Sequence, residues 1–303
     1  PLQLRRGVSS AFASGVFAFC YALSGNMPSI KDLGKRLKSV TSTSKITKAM
    51  KMVAASKLRK AESEMIAARP FAASVQNLMM PHIGIKEGEE PPASVMKLAI
   101  SSDKGLCGGI NSKICKEVKL AVDALVQRGA ESSPQLLIVG SKGRDGMART
   151  HSEYYKTTFD EAYGGAITFS LASFLAEQML ASTAESYTIW YNKFRSVINF
   201  EPTPLTIKGP EVLGASGVFD EFEFEGEKET VLADIYQFNL ACTIYGCLLE
   251  NKTSEEASRM TAMDSASTNA ADMISRLTLI YNRMRQAKVT TELTEIVAGA
   301  EAV

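Results

Sequence analysis

In RMTAMDSASTNAADMISRLTLIYNRMRQ, residues 259–286, a single stripe of side chains sets the architecture. Met260, Met263, Ser267, Ala270, Ile274, Leu277, Tyr281 and Met284 follow one another at intervals of 3-4-3-4-3-4-3. A heptad seam of this kind is the sequence mark of a left-handed coiled coil. From Thr230 to Ile296 there is no proline, and Gly246 is the only glycine. A helix of about 65 residues at ~1.5 Å per residue reaches roughly 100 Å, and its apolar stripe needs a partner helix.

The only other long helical pattern lies at the opposite end of the chain. Ser29 and Asp32 suit an N-cap and a first turn. Ile30, Leu33, Leu37 and Val40 then repeat at 3-4-3, and after Gly34 no proline or glycine intervenes before Pro70. Pairing the two ends antiparallel satisfies both stripes. Between them, apolar runs alternate with helical patterns: a strand at 95–101, a helix at 111–128, a strand at 136–140, a glycine-punctuated turn, a helix at 168–184 and a strand at 187–198. Strand and helix in alternation imply a small sheet covered by helices. Glu201-Pro202-Thr203-Pro204 and Gly209-Pro210 read as the exit from it. The expected fold is therefore α/β, a long antiparallel coiled coil of N- and C-terminal helices with an inserted Rossmann-like domain. Its segments are 1–27, an extension; 28–80, the first helix; 94–208, the α/β domain; 209–229, an acidic connector; and 230–303, the second helix.

Composition argues against several function classes. Lys and Arg number 34 against 33 acids, so net charge points to neither nucleic acid nor membrane. Five scattered cysteines form no C-x-x-C pair, and two histidines alone build neither a metal centre nor a triad. Charge is nevertheless segregated. Ten basic residues stand against Asp32 between Pro28 and Ala61, and seven acids against Lys228 between Glu211 and Glu229. The basic helix can be a solvated face, can meet an acidic protein surface, or can meet nucleic acid. Against the last stands the lack of any aromatic residue between Tyr21 and Phe71. Residues 1–27 carry Arg5, Arg6, serines and no acid, the composition of an organelle transit remnant; an ordered extension and a secretory signal or membrane anchor are the other readings.

Two glycine-rich turns follow strands, at 102–109 and 140–146. Neither closes with Gly-Lys-Ser/Thr, and neither has G-x-G-x-x-G spacing, so a structural or contact turn is favoured over a nucleotide loop. The alternating carboxylates from Glu221 to Glu229 contain no pair set apart by environment. No catalytic, cofactor-binding or metal-ligating residue is expected. The competing readings are an α/β nucleotide-binding enzyme with a helical oligomerisation arm, and a coiled-coil scaffold.

The motifs KITKAMKMVAASK (45–57), SDKGLCG (102–108), RMTAMD (259–264), YNRMRQA (281–287) and TELTEIVAGA (291–300) closely resemble, in order and position, the gamma subunit of F-type ATP synthases. The resemblance covers about Pro28 to Val303. It implies a non-catalytic central rotor stalk, needing no cofactor, that carries rotation from the membrane c-ring to a head of three alpha and three beta subunits. Its further partner would be the epsilon-type subunit, called delta in mitochondria, with nucleic acid excluded and the membrane met only through the complex. The resemblance places Lys45, Lys48, Met50, Lys51, Lys57, Lys104, Cys107, Arg285 and Gln286 against beta subunits. Phe222 and Phe224 are the candidates for the c-ring or epsilon side. No paired-cysteine insertion of the chloroplast kind is present. Together with residues 1–27, this favours the matrix side of the mitochondrial inner membrane.

Overall fold

The computed structural model describes residues 29–84, 94–128, 134–182, 184–211, 219 and 223–301. The calls on residues 1–27 and on Phe222, and most of the acidic connector, lie outside them. The described elements run α1 (Ile30–Ile83), β1 (Val95–Ile100), α2 (Ile110–Gln127), β2 (Gln135–Val139), α3 (Ser141–His151), a 3-10 turn (Ser152–Tyr154), β3 (Tyr155–Phe159), α4 (Phe169–Leu180), β4 (Ser186–Phe194), β5 (Phe200–Lys208) and α5 (Lys228–Glu301). The molecule is thus mixed α/β, with a five-stranded sheet and long helices at both ends. The described residues divide into two compact units, 29–46 with 267–301, and those within Thr47–Ala266.

In the first unit Ser29 caps α1 as expected. Its Oγ accepts from the Asp32 amide at 3.2 Å and donates to the Asp32 carboxylate at 2.8 Å. Leu33, Ala270 and Leu277 are buried, while Ile30, Leu37, Val40, Ile274, Tyr281 and Met284 are partly so. A Cβ added to Gly34 would stand 3.6 Å from the Tyr281 ring, in ordinary contact. Every seam position predicted from the 3-4 spacing is therefore shielded. After Met284 the pattern stops, and each residue from Arg285 to Glu301 is exposed.

The second unit is three-layered. The sheet order is β3-β2-β1-β4-β5, parallel except for the β4–β5 pair. On one face, Met96, Leu98, Ile100, Leu137, Val139 and Ile189 pack against α4 and the sheet-side parts of α1 and α5. On the other, Ala99, Leu136, Ile138 and Trp190 pack against α2, with Met147 of α3. Segments of α1 and α5 run antiparallel, tied by Lys51–Asp264 at 2.6 Å, Glu64–Lys252 at 3.1 Å and Arg69–Glu250 at 3.4 Å.

Three details differ from the sequence reading. Pro202 and Pro204 lie inside β5 rather than in an exit turn, opposite Asn192 and Trp190; β5 is an edge strand, where a missing ladder donor is tolerated. The turn expected at 140–146 opens α3 (Ser141–His151), and its glycines serve close packing. A Cβ on Gly143 would lie 2.4 Å from Ser101 Oγ, and one on Gly146 would lie 2.9 Å from Cys115 Sγ. The sequence reading contained no β3, which is an edge strand with four half-buried side chains and the exposed Lys156. The first helix, expected over 28–80, runs through Pro70 to Ile83. Pro70 is exposed, so the ladder bond it cannot make is open to water.

Candidate functional site

In an open parallel sheet, ligands enter at the carboxyl ends of the strands where connections diverge. Here β1 leads through α2 to β2 on one side, while β4 flanks β1 on the other. The crevice at this switch point is filled by α5. Asn251 Nδ2 donates to the Ser101 carbonyl at 3.3 Å and to the Tyr163 hydroxyl at 2.9 Å. Its Oδ1 accepts from Asn192 Nδ2 at 2.8 Å. Ser254 Oγ donates to the Asn192 carbonyl at 2.9 Å, and Ser258 Oγ to the Cys107 carbonyl at 2.5 Å. Asn251 and Asn192 are each only 1% exposed. Strand ends β1 and β4, together with the loop after β1, are thereby fastened to one helix.

Several polar groups of the same loop are engaged within the chain. Asn111, in the first turn of α2, accepts from the Ser102 amide at 3.2 Å and donates to Ser102 Oγ at 2.8 Å. Ser101 Oγ donates to the Val139 carbonyl at 2.7 Å and accepts from the Gly143 amide at 2.9 Å. Gly140 has φ +98 and leaves no room for a Cβ, which would come 2.7 Å from Ser101 Oγ. At Gly108, φ +60 brings the backbone against Ser258. Gly108, Gly140, Gly143 and Gly146 thus bring protein against protein, whereas a Cβ on Gly109 would meet nothing within 4 Å.

One turn further along α5, Arg259 bridges two carboxylates. It contacts Glu255 and, at 2.7 Å, Glu256, and all three residues are buried. Burial raises the Glu255 carboxyl pKa above its ordinary value, and the Arg259 charge opposes that rise. Burial alone would lower the Arg259 pKa, but the two carboxylates raise it.

Among the residues expected to make contacts, Lys45, Lys48, Lys57, Lys104, Arg285 and Gln286 are exposed, and Met50 is half-buried. Lys51 is engaged with Asp264. Cys107 turns inward at 3% exposure, its thiol against the Lys104 carbonyl and Asn111, and burial pushes its pKa up. The loop instead exposes Leu106, which is 61% accessible and holds φ 62, a conformation uncommon for a non-glycine residue. Beside it opens a cleft of about 780 Å³, bordered by Lys116, Lys119 and Lys142. Phe224 is half-buried and packs on the core. The seam residues Met260 and Met263 are shielded in the second unit, as Ala270, Ile274, Leu277, Tyr281 and Met284 are in the first.

Sequence reasoning missed Asn251, Ser254, Ser258 and the Arg259 cluster as a site. The signal was NKTSEEASR at 251–259, a polar run inside an unbroken helix. Ser, Thr and Asn are poor choices there unless their side chains have partners.

These features define a Rossmann-like α/β protein whose ligand crevice is filled from within and whose two ends are long helices. The ATP synthase family model matches residues 29–303. The ATP synthase gamma chain of Paracoccus denitrificans is 38% identical over 295 residues, spanning 91% of this chain and 100% of that one. The mitochondrial ATP synthase subunit gamma of Arabidopsis thaliana is 40% identical over 281 residues, covering 88% of this chain and 83% of the relative. A chain of the Tetrahymena thermophila mitochondrial ATP synthase central stalk and c-ring superposes with a TM-score of 0.63 at 31% identity, over 73% of this chain and 99% of its own length. One from the Euglena gracilis mitochondrial ATP synthase gives a TM-score of 0.74 at 18% identity, covering 90% and 94%, a likeness of fold. The chain belongs to the ATP synthase gamma-chain family.

Proposed function

We propose that this chain is the non-catalytic central stalk of a proton-driven ATP synthase, located on the matrix side of the mitochondrial inner membrane. The observation that carries the reading is the crevice plugged by Asn251, Ser254 and Ser258. Where a Rossmann enzyme would hold its dinucleotide, this sheet grips its own long helix. Torque applied to the α/β body therefore reaches α5 through buried hydrogen bonds.

The stalk works by differential contact. One asymmetric shaft cannot touch three equivalent catalytic subunits alike, so its angle biases each toward a different nucleotide affinity. Lys45, Lys48, Lys57 and Lys104 are exposed cations suited to acidic beta-subunit loops, with Leu106 supplying an apolar tip. Exposed ion pairs of about 0–1 kcal/mol each exchange during turning without deep traps. Arg285 and Gln286 lie on the bare part of α5, where an arginine can grip a carboxylate bidentately. Phe224 marks the c-ring or epsilon side, and Lys51, paired with Asp264 yet 40% exposed, joins the beta-facing cations. The composition of residues 1–27 and the plant mitochondrial relative support the mitochondrial placement.

Purification of the native complex tests the assignment. The chain is expected with alpha and beta subunits in one-to-three-to-three proportion, in a mitochondrial inner-membrane fraction. A stable monomer without those subunits would sink it. Within that complex, Arg285→Ala with Gln286→Ala is expected to reduce ATP synthesis while leaving assembly intact. Unchanged synthesis would remove both residues from the contact surface.

A further inference from the structure

Half of the residues that line a small cavity on the α2 side of the sheet carry side-chain hydrogen-bond donors, and the other half are apolar. Lys97 of β1, Thr188 of β4 and Thr206 of β5 stand in one cross-strand row, set by the pairs Lys97↔Thr188 and Thr188↔Thr206. In the next row Trp190 lies beside Pro204. Ala121, Ala124, Leu125 and Arg128, at the end of α2, complete a space of about 210 Å³, enough for several waters.

Two of the donors are underused. Lys97 is 3% exposed, and its ammonium meets only the Ala121 carbonyl, at 2.7 Å. An ammonium offers three N–H bonds, so two remain without a protein acceptor. Trp190 is 8% exposed, and its indole N–H is buried with no partner. The Thr188 and Thr206 hydroxyls share one hydrogen bond of 3.2 Å, which leaves one of their two protons available. Among the described lining residues there are two cations, Lys97 and Arg128, and no carboxylate. A buried charge without a counter-charge is costly, and in its absence burial pulls the Lys97 pKa down to about 8.

We infer that this cavity binds a small inorganic oxyanion such as phosphate, held by Lys97 Nζ, the Trp190 indole N–H and a threonine hydroxyl, with Arg128 at its mouth. An oxyanion offers several acceptors to converging donors and supplies the charge that Lys97 lacks. A neutral or cationic ligand would leave that charge uncompensated. The inference is independent of the rotor reading, since it concerns the face of the sheet away from α1 and α5.

Thermal unfolding of the purified full-length chain tests it, in millimolar inorganic phosphate against chloride of equal ionic strength. Phosphate is expected to raise the midpoint of the unsubstituted chain by roughly 3 °C at a concentration well above its dissociation constant. Lys97→Met keeps an unbranched apolar stem and should fold but show no such rise. Trp190→Phe keeps most of the ring and removes the N–H, and should show a smaller rise. Phosphate also stabilises proteins generally by exclusion from their surface, so the difference between the chains is the readout. An equal rise in all three chains, or none in the unsubstituted one, overturns the site. Should Lys97→Met fail to fold, the comparison of Trp190→Phe with the unsubstituted chain decides alone.

Discussion

Residues 251–259 and 285–301 belong to the same helix, α5, yet meet opposite surroundings. In the first stretch eight of nine residues are buried, and every one but Ala257 is polar or charged. In the second every residue is exposed, although Val289, Leu293, Ile296 and Val297 are apolar. The usual partition of polar outside and apolar inside is inverted along the length of one element. The buried polar stretch has partners within the chain, in Ser101, Asn192 and the Cys107 carbonyl. The exposed apolar stretch has none among the described residues, as expected of a surface that a separate molecule covers. A helix that is fastened at one stretch and bare at another can carry motion from the first to the second.

The contrast is tested most severely at Arg259. Replacing it with Met leaves Glu255 and Glu256 buried side by side without their cation, and breaking such a pair costs about 3–5 kcal/mol. Denaturant unfolding of the full chain at neutral pH measures the loss; a change below about 1 kcal/mol would show that the cluster is not load-sharing. The pH dependence carries a definite sign. Glu255 has a folded-state pKa above its ordinary 4.5, so the folded chain holds the proton more tightly than the unfolded one. Its contribution to stability is fully present below that ordinary value and is lost as pH rises through the folded-state pKa. Without Arg259 the folded-state pKa rises further, so the Arg259→Met penalty is expected to shrink on acidification toward pH 4.5. A penalty that stays constant over that range would mean the carboxylates are not the origin of the loss.

Asn251→Leu comes next. The substitution keeps side-chain volume but strands the Tyr163 hydroxyl, the Ser101 carbonyl and the Asn192 amide. Each buried polar group left without a partner costs about 1–3 kcal/mol, partly relieved by rearrangement. The expected loss is about 2–3 kcal/mol. In the assembled complex the same change should lower ATP-driven proton pumping more than ATP hydrolysis, because the grip between sheet and helix loosens while the head stays intact. Equal losses of both activities would reduce Asn251 to a folding role.

Much of this fold was legible because periodicity survives tertiary context. The seam from Met260 to Met284 and the N-terminal repeat from Ile30 to Val40 were readable at single-residue resolution. What stayed hidden was hidden by residues with two meanings. Pro202 and Pro204 signal a turn unless the strand is at an edge, and only pairing with β4 shows that it is. Gly143 and Gly146 signal a turn unless a neighbour occupies the space of their Cβ, and Ser101 and Cys115, distant in sequence, do so. Cys107 illustrates the same limit for the contact loop: the motif locates the turn, but the outward residue is Leu106, whose positive φ no spacing rule reveals. The polar run at 251–259 was visible as an oddity, but its partners on β1 and β4 required the sheet.

The smallest effect belongs to the bare stretch. Leu293 is 57% exposed, and alanine is at least as good a helix former. Leu293→Ala should therefore change the stability of the isolated chain by no more than about 0.5 kcal/mol. Paired with Ile296→Ala, it removes two apolar side chains from the same helix face, three residues apart. If another subunit encloses that face, the double substitution leaves the isolated chain unmoved but lowers the thermal stability of the assembled complex. The magnitude there follows from burial, about 2–5 kcal/mol for each large-to-small change in a well-packed site and much less in a loose sleeve. A small loss in the complex would therefore indicate a bearing that tolerates sliding, and a large one a fixed socket. No loss in either state would mean that the apolar stripe beyond Met284 is not a contact surface, and the contrast with the buried stretch at 251–259 would fail at its outer end.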